Sequence, residues 1–356
     1  MEKIKTFLKR KNIEISLRRY GIDALGAMAQ GLFCSLLIGT IIKTLGQQLA
    51  ISFLVDIGTY ASAMSGPAMA VAIGYALKAD PMVIYSLAAV GWAANAEGGA
   101  GGPLAVLLIA IISAEFGKIV SRETKVDILV TPAVTILVGV TLAKLLAPPI
   151  GEAARAFGAL IDQATKLQPF WMGIAVSVLV GIALTLPISS AAICTVFGLT
   201  GLAGGAAVAG CCANMVGFAI LSFRENRWGG LISQGIGTSM LQMPNIVRNP
   251  RIWLPAILTS AITGPLATCV FGLEMNGAPV SSGMGTCGFV GQIGVITGWL
   301  APGEEALAKG ACAIVPGVME WGGLILISFV LPAVLCWLFG ILFRKMGWIR
   351  EGDLKI

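Results

Sequence analysis

Histidine is absent from this sequence, and only 12% of its 356 residues are charged. Without histidine the chain lacks the commonest general base and the commonest metal ligand, and it cannot form a phosphohistidine. Any phosphoryl transfer at this chain would therefore use a phosphate that another protein carries. The sequence also lacks the GxxxxGK motif of a phosphate-binding loop, which argues against an ATP-driven pump.

Metal and disulfide chemistry have little support in the sequence. The eight cysteines all lie within or beside apolar segments, and no two of them have CxxC spacing. Such cysteines are typical of small buried hydrophobic side chains rather than of metal ligands or cross-links. We therefore predict no metal site and no cofactor.

Long apolar segments dominate the chain, since hydrophobic residues make up 56% of it. A soluble domain carries roughly 25% charged residues, so this chain has too few charges to cover a water-soluble surface. Because the segments are long rather than short and alternating, helices are favoured over a β-barrel. We predict an all-α polytopic membrane protein with about ten transmembrane helices, some of them broken or re-entrant. The predicted spans lie near residues 21–44, 51–77, 81–94, 104–120, 128–147, 169–186, 189–221 (broken), 229–244, 252–272, 286–300 and 315–343.

The first twenty residues are strongly basic. Seven Lys or Arg residues precede the first long apolar segment, which predicts a cytoplasmic N-terminus by the positive-inside rule. Ile4, Phe7 and Leu8 are interleaved with these cations, as in a helix that lies along lipid headgroups. We predict a cytoplasmic basic interfacial helix in residues 1–20 and a single transmembrane domain in residues 21–356.

An internal repeat emerges when the sequence is aligned with itself at a shift of 198 residues. Segment 62–67 then aligns with segment 260–265, with serine, alanine, glycine and proline at matching places. We predict a two-fold internal repeat with halves at approximately 21–147 and 229–343, linked by 148–228. Transporters built from such repeats bind solute near the bilayer midplane, where the halves meet.

A glycine-rich run interrupts an apolar segment at residues 95–103. It contains four glycines, a proline and the carboxylate of Glu97, so no continuous helix is expected to pass through it. Within a membrane, irregular backbone is tolerated where it faces protein or a water-filled cavity. Asn95 and Glu97 are therefore predicted to line such a cavity. The other interpretation is a glycine-rich turn outside the membrane.

A second interruption, at residues 274–285, again combines glycines, a proline, one carboxylate and one amide. Paired interruptions in two halves are the best sequence indication of a transport site. A carboxylate accepts hydrogen bonds from sugar hydroxyls, and Asn, Ser or Gln side chains supply further donors and acceptors. The same carboxylates could instead hold a proton or Na⁺. The candidate solute contacts are Asn95, Glu97, Gly98, Gly99, Glu274, Asn276, Ser281, Ser282 and Gln292.

Other polar and aromatic residues in apolar surroundings carry weaker indications. Asp56 and Glu320 are further acids within or at the edge of apolar segments. Trp321 could stack on a sugar ring, although a tryptophan at such a position is more often an interfacial anchor. The net charge of +6 is spread over terminal and loop clusters, so we predict no nucleic-acid partner.

Several motifs, taken together, carry a family resemblance. They are residues 95–103, residues 124–128 with Pro132, residues 234–239 with Pro244 and Asn245, and residues 279–292. With these motifs the chain resembles the EIIC-like membrane family of the bacterial sugar phosphotransferase system, in its perfringolysin O regulator-like branch. The resemblance extends over most of the chain from Ile15 onward.

The resemblance implies a homodimeric permease in the bacterial cytoplasmic (inner) membrane. Such a permease moves a sugar while separate phosphocarrier subunits relay phosphate from phosphoenolpyruvate. The chain would then be at most the membrane component of a sugar phosphotransferase. It departs from the glucose-type pattern, because it has no histidine and no Gly-Ile-Thr-Glu motif.

Three functions stay open at this point. The first is a sugar permease of the phosphotransferase type, with Glu97 and Glu274 in the solute cavity. The second is an ion-coupled or facilitated carrier of another small polar solute, in which the same carboxylates serve the coupling ion. The third is a membrane solute sensor that regulates gene expression through a partner.

Overall fold

The fold is helical throughout. The computed structural model describes the backbone of residues 2–356 and the side chains from residue 6 onward. Within these residues there is no β-strand apart from an isolated bridge between Gly201 and Met275. The predicted all-α class is therefore confirmed. The chain divides into two compact units at Ala154.

The first unit begins with a short helix and continues with long apolar ones. Between α1 and α3 the helix from Arg19 onward contains π-helical turns at Arg19–Ala24 and Phe33–Leu37. The helices are α1 Glu2–Arg10, α2 Leu25–Leu32, α3 Ile38–Gln48, α4 Ser52–Ala63, α5 Ser65–Ala76, α6 Pro81–Gly98, α7 Gly102–Val120 and α8 Asp127–Thr165, which runs past the unit boundary.

The second unit contains shorter helices and more irregular backbone. Its longest stretch without an α-helix lies between α14 and α15, which contains a π-helical turn at Leu266–Val270 and two 3₁₀ turns at Pro279–Gly283 and Cys287–Phe289. The helices are α9 Pro169–Thr185, α10 Ser190–Val196, α11 Gly201–Leu221, α12 Phe223–Ile232, α13 Met243–Arg248, α14 Leu254–Pro265, α15 Val290–Leu300, α16 Glu304–Ala308, α17 Val318–Ile325 and α18 Leu331–Lys345.

Six helical stretches among the described residues are long and apolar enough to cross a membrane. They are Arg19–Gln48, Pro81–Val120, Asp127–Thr165, Gly201–Leu221, Pro250–Val270 and Val318–Lys345. Two shorter apolar helices, Pro169–Thr185 and Cys287–Leu300, accompany them. The polytopic membrane architecture is thus confirmed, whereas the two-fold repeat and its half boundaries stay predictions.

The stretch Pro81–Val120 is a hairpin of two helices, not one straight span. Gly99 has a positive φ of 50° and ends α6, as the glycine-rich run predicted. A Cβ placed on Gly117, near the end of α7, would lie 2.8 Å from Val83, near the start of α6. The two helices therefore lie antiparallel, and the 18 residues of α6 span about 27 Å at 1.5 Å per residue.

Two predicted elements differ from the observed ones in length. The predicted spans 128–147 and 169–186 leave residues 148–168 as a connection between them, but α8 continues through Pro148 and Pro149 to Thr165. Proline has a helical φ and removes only its own N–H, and a membrane protein can satisfy the freed carbonyls by local adjustments. The predicted span 51–77 is instead divided at Met64 into α4 and α5.

The second unit packs around α11. Sixteen of the 21 residues in this helix are buried, and most of them are Gly, Ala or other small residues that allow close helix contacts. Asn214 lies at its centre, where Oδ1 accepts a hydrogen bond from Trp253 Nε1 at 3.0 Å. Its Nδ2 group donates to the carbonyl of Gly210 at 3.0 Å and to Ser260 Oγ at 3.3 Å. Because Asn214 and Ser260 are fully buried, these polar bonds tie α11 to its neighbours.

Charged side chains at the C-terminal end of helix α1 attach it to the connection between α7 and α8. The Glu123 carboxylate pairs with Arg10 at 2.6 Å and with Lys11 at 2.5 Å. Lys11 also donates to the carbonyl of Ser121. The hydrogen bond from the Lys11 ammonium is the main reason why the pKa of Glu123 is below its usual value. The cytoplasmic location of this segment stays a prediction.

The pKa of Glu123 predicts an acid-sensitive attachment of α1. Because the folded-state pKa is lowered, the stabilisation by the ion pairs is fully present above the ordinary glutamate pKa of about 4.3 and is lost as the pH falls from there through the lowered folded-state pKa. We expect amide hydrogen exchange in residues 6–12, corrected for intrinsic rates, to quicken below that pH. Glu123→Gln should show the faster exchange at neutral pH.

The control for this experiment is Glu304→Gln, because Glu304 has no ion-pair partner among the described residues. That variant should leave exchange in residues 6–12 unchanged. Exchange in Glu123→Gln that matches the wild type at neutral pH would show that the ion pairs do not hold α1.

Candidate functional site

An extended segment between α14 and α15 builds the polar site of the second unit. Gly272 has a φ of +54° and ends the preceding helix. Met275 then pairs with Gly201 through two backbone hydrogen bonds of 3.0 and 3.1 Å. Side chains alternate along extended backbone, so Leu273 and Met275 enter the core while Glu274 lies on the opposite side. Leu273 and Met275 are 3% and 0% exposed.

Glycines on two helices let this segment pass through the unit. A Cβ on Gly205 of α11 would overlap the carbonyl oxygen of Leu273. On the other side, a Cβ on Gly298 of α15 would lie 2.5 Å from the backbone nitrogen of Gly277. The extended backbone is therefore in direct contact with two helix backbones, and this contact fixes the position of Glu274.

The site itself is a cavity of about 90 Å³. Its polar lining includes Glu274, Asn276 and Glu320, and its apolar lining includes Trp299. Asn276 Nδ2 donates to Glu274 Oε2 at 2.7 Å, which orients both side chains. Glu274 is exposed, whereas Asn276 is only 6% exposed.

Glu320 is placed by the start of α17. Its Oε2 atom accepts a hydrogen bond from the backbone N–H of Gly317 at 2.8 Å, and a carboxylate in the first turn is favoured by the helix dipole. Neither Glu320 nor Glu274 has a salt-bridge partner among the described residues. The cavity therefore carries two carboxylates without a compensating cation.

Aromatic and thiol groups complete this cavity. Trp299 contacts Trp321 edge to face, with 5.2 Å between ring centroids. Cys312 also lines the cavity and is exposed. Cys34 and Cys269 are exposed as well, so our prediction that all eight cysteines are buried is wrong for three of them. No group of three or more Cys, Asp or Glu side chains suited to a metal occurs among the residues the structure describes.

The other predicted contacts of the second unit lie near the extended segment rather than in the cavity lining. Ser282 is fully buried, and its hydroxyl donates to the carbonyl of Pro279 at 2.7 Å. Ser281 lies against Gly294 of α15. Gln292 is 5% exposed, and its Nε2 lies 3.2 Å from Cys212 Sγ. Its Oε1 atom is buried without a hydrogen-bond partner among the described residues.

The four predicted contacts of the first unit lie together at the tip of the α6–α7 hairpin. Asn95 Nδ2 is 3.4 Å from Ser65 Oγ, a long hydrogen bond. Glu97 pairs with Lys144 at 2.9 Å, and its side chain is 38% exposed. Gly98 is buried, and Gly99 provides the left-handed turn. Both carboxylates are exposed, but Glu97 has an ion-pair partner and Glu274 has none among the described residues.

The sequence did not indicate that Glu320 and Trp299 line the same cavity as Glu274. Glu320 was recognised as an acid near an apolar segment but not as a partner of Glu274, and Trp299 was not singled out. The available signal was local: Glu320 follows Gly317 by three residues at the start of an apolar run, as in a helix-start pattern. Nothing in the sequence indicated that this helix start lies beside Glu274.

The long apolar helices define a multi-pass membrane protein, and an acidic cavity lies where its second unit leaves the helical conformation. Residues 22–356 match the family described as "Phosphotransferase system, EIIC", and the chain belongs to this family. It is therefore a membrane component of sugar transport, and its family implies a sugar substrate and other phosphotransferase subunits as partners. No curated protein and no solved structure matches the chain.

The unpaired oxygen of Gln292 predicts an unusual response to substitution. A buried polar atom without a partner costs about 1–3 kcal/mol, so Gln292→Met should leave the free energy of unfolding unchanged or raise it by about 1 kcal/mol. The matched control is Gln234→Met. Gln234 is fully buried but donates to Ser222 Oγ at 2.7 Å and accepts from Gln242 at 2.9 Å.

Thermal unfolding of the purified variants in detergent measures this difference. Gln234→Met should lower the free energy of unfolding by about 1–3 kcal/mol, because it leaves buried partners unpaired. If Gln292→Met loses as much stability as Gln234→Met, then Gln292 Oε1 has a partner such as an ordered water.

Proposed function

We propose that this chain is the membrane permease of a sugar phosphotransferase-type system and that the sugar binds at the acidic cavity of the second unit. The observation that supports this proposal is the pair of uncompensated carboxylates, Glu274 and Glu320, beside the ring of Trp299. An ionised carboxylate can accept several hydrogen bonds, and a sugar presents several hydroxyl donors. A few convergent polar groups on apolar walls are typical of a small-molecule site.

The contacts around Glu274 leave acceptors free for hydroxyl groups. Asn276 occupies Oε2 of Glu274, so Oε1 of Glu274 and Oδ1 of Asn276 remain available. Trp299 offers an apolar surface against which the C–H groups of a sugar ring can pack. Because the backbone of this segment is fixed by Gly201 and by the glycine contacts, these groups are oriented before the solute arrives.

In the proposed reaction, a phosphorylated carrier subunit supplies the phosphoryl group. A sugar hydroxyl oxygen attacks the phosphorus atom, a new O–P bond forms, and the bond between phosphorus and the carrier breaks. Glu274 or Glu320 takes the hydroxyl proton as a general base. The chain has no histidine, so carrying the phosphoryl group is assigned to the partner.

The size of the cavity favours one second candidate. A volume of about 90 Å³ is well below the volume of about 300 Å³ at which small-molecule sites usually start. A sugar therefore requires a wider conformation of the cavity. Two unpaired carboxylates around so small a space also suit a proton or a hydrated Na⁺, as in an ion-coupled carrier of another small solute.

The residues at the tip of the α6–α7 hairpin form a second proposed contact region for the solute. Asn95 and Glu97 offer an amide and a carboxylate there, and Gly98 and Gly99 bring backbone groups to the same turn. The Lys144 side chain, paired with Glu97, would have to be released or shared when a hydroxyl binds. The family resemblance further motivates two proposals, a homodimer and, as an alternative function, a solute sensor of the regulator-like branch. The basic residues before the first apolar segment support the proposal of a cytoplasmic N-terminus.

Uptake of a panel of radiolabelled sugars into proteoliposomes tests the proposal, with and without phosphocarrier proteins and phosphoenolpyruvate inside. We expect the wild type to accumulate one sugar as its phosphate. Glu274→Gln removes a base without changing the shape of the side chain. It should reduce phosphorylating uptake about 100-fold or more, the usual contribution of a general base.

The matched control is Glu304→Gln, which changes an exposed carboxylate on α16 that has no ion pair in the described chain. This variant should transport like the wild type. Phosphorylating uptake that survives in both Glu274→Gln and Glu320→Gln would overturn the assignment of the cavity. Uptake of unmodified solute that collapses with the proton or sodium gradient would select the ion-coupled carrier, and binding without flux would select the sensor.

A further inference from the structure

A groove on the second unit, between the ends of α11 and α18, takes no part in the proposed sugar site. Its volume is about 430 Å³, within the range of about 300–1,000 Å³ for small-molecule sites. Apolar side chains form its walls, among them Ile220, Phe223, Trp337 and Ile341. Basic side chains complete the lining, and these are Arg224, Arg344 and Lys345.

A glycine on α18 determines how closely the two helices that form the groove approach each other. A Cβ on Gly340 would overlap the side chain of Leu221, so the missing side chain lets α18 approach the end of α11. Residues three and four apart lie on one face of a helix, so Trp337, Gly340, Ile341 and Arg344 form one stripe along α18. This stripe is apolar over its length and ends in a cation.

The cations of the groove divide into one that is paired and two that are not. Arg344 donates to Glu225 Oε1 at 2.9 Å and to the carbonyl of Leu221 at 3.2 Å. Across the described residues, the side chains of Arg224 and Lys345 have no hydrogen-bond or ion-pair partner. Since Glu225 neutralises Arg344, the end of the groove has an excess of two positive charges.

We propose that this groove binds an anionic diacyl glycerophospholipid. One acyl chain lies along the stripe of Trp337, Gly340 and Ile341, and the phosphate accepts hydrogen bonds from Arg224 and Lys345. Basic pockets between transmembrane helices recognise anionic headgroups, and Arg offers a planar fork that matches a phosphate.

The surroundings of the groove favour a lipid over other occupants. Helix α18 belongs to a predicted membrane span, and Trp337, Leu338 and Leu342 on it are 54%, 49% and 48% exposed. A free inorganic phosphate would leave the apolar walls uncovered. An uncharged apolar partner would leave Arg224 and Lys345 unpaired. An anionic phospholipid satisfies both parts of the groove with one molecule.

Trp337 provides a direct test, because bromine atoms on acyl chains quench tryptophan fluorescence at short range. The full-length protein is reconstituted into phosphatidylcholine vesicles that contain a fixed fraction of either brominated phosphatidylglycerol or brominated phosphatidylcholine. Subtracting the signal of Trp337→Phe isolates the contribution of Trp337. We expect brominated phosphatidylglycerol to quench Trp337 more strongly than brominated phosphatidylcholine at the same fraction.

Removing the two free cations should abolish this preference. Each basic residue near a membrane surface contributes about 1 kcal/mol to binding an anionic lipid, which corresponds to about a five-fold change in relative affinity. Arg224→Gln with Lys345→Gln should therefore lower the preference by up to about 25-fold. The matched control combines Arg350→Gln with Lys355→Gln, two exposed cations after α18 that do not line the groove. It should keep the preference.

Equal quenching by the two brominated lipids would overturn the proposal, and so would a preference that survives loss of Arg224 and Lys345. If the double variant does not fold, the salt dependence of the lipid preference of the wild type still tests the proposal. This preference should fall as ionic strength rises, because salt screens the headgroup contact. A preference that is independent of salt would contradict the role of the cations.

Discussion

Every backbone N–H and C=O group inside a bilayer needs a partner within the protein, and this requirement governs where the chain can leave the helical conformation. Residues 271–278, after α14, are not helical, and Met275 and Gly201 exchange two backbone hydrogen bonds there. That pair lets an extended backbone exist beside α11. The acidic cavity, the alternation of core and polar side chains, and the orientation of Glu274 all depend on it.

The same constraint explains why small residues surround the site. An extended backbone can lie against a helix only where no side chain intervenes, and Gly205 and Gly298 meet this condition on opposite sides. Polar side chains then tie the remaining helices together, as Asn214 does at the centre of α11. Close packing and the proposed solute site therefore share one part of the second unit, since the glycines that allow close contact also fix the position of Glu274.

The sequence predicted the class of fold and the places where helices break, but not how the breaks are used. Hydrophobic composition and the runs of glycine and proline indicated a helical membrane protein with interruptions at residues 95–103 and 274–285. The pairing of Gly201 with Met275 was not predictable, because it joins residues far apart in the chain without a strand pattern. For the same reason Glu320, on a separate helix, could not be assigned to the side of Glu274. The length of α8 was not predicted, because proline in a sequence normally indicates the end of a helix. A membrane helix can nevertheless accommodate prolines such as Pro148 and Pro149.

One consequence follows from the distribution of the thiols. Cys312 lies at the lining of the acidic cavity and is exposed, whereas five of the eight cysteines are buried. A membrane-impermeant maleimide would therefore react at the mouth of the cavity once Cys34 and Cys269 are replaced. Cys312 can therefore serve as a labelling site. Its rate of alkylation would report whether the cavity is occupied and to which side of the membrane the cavity opens.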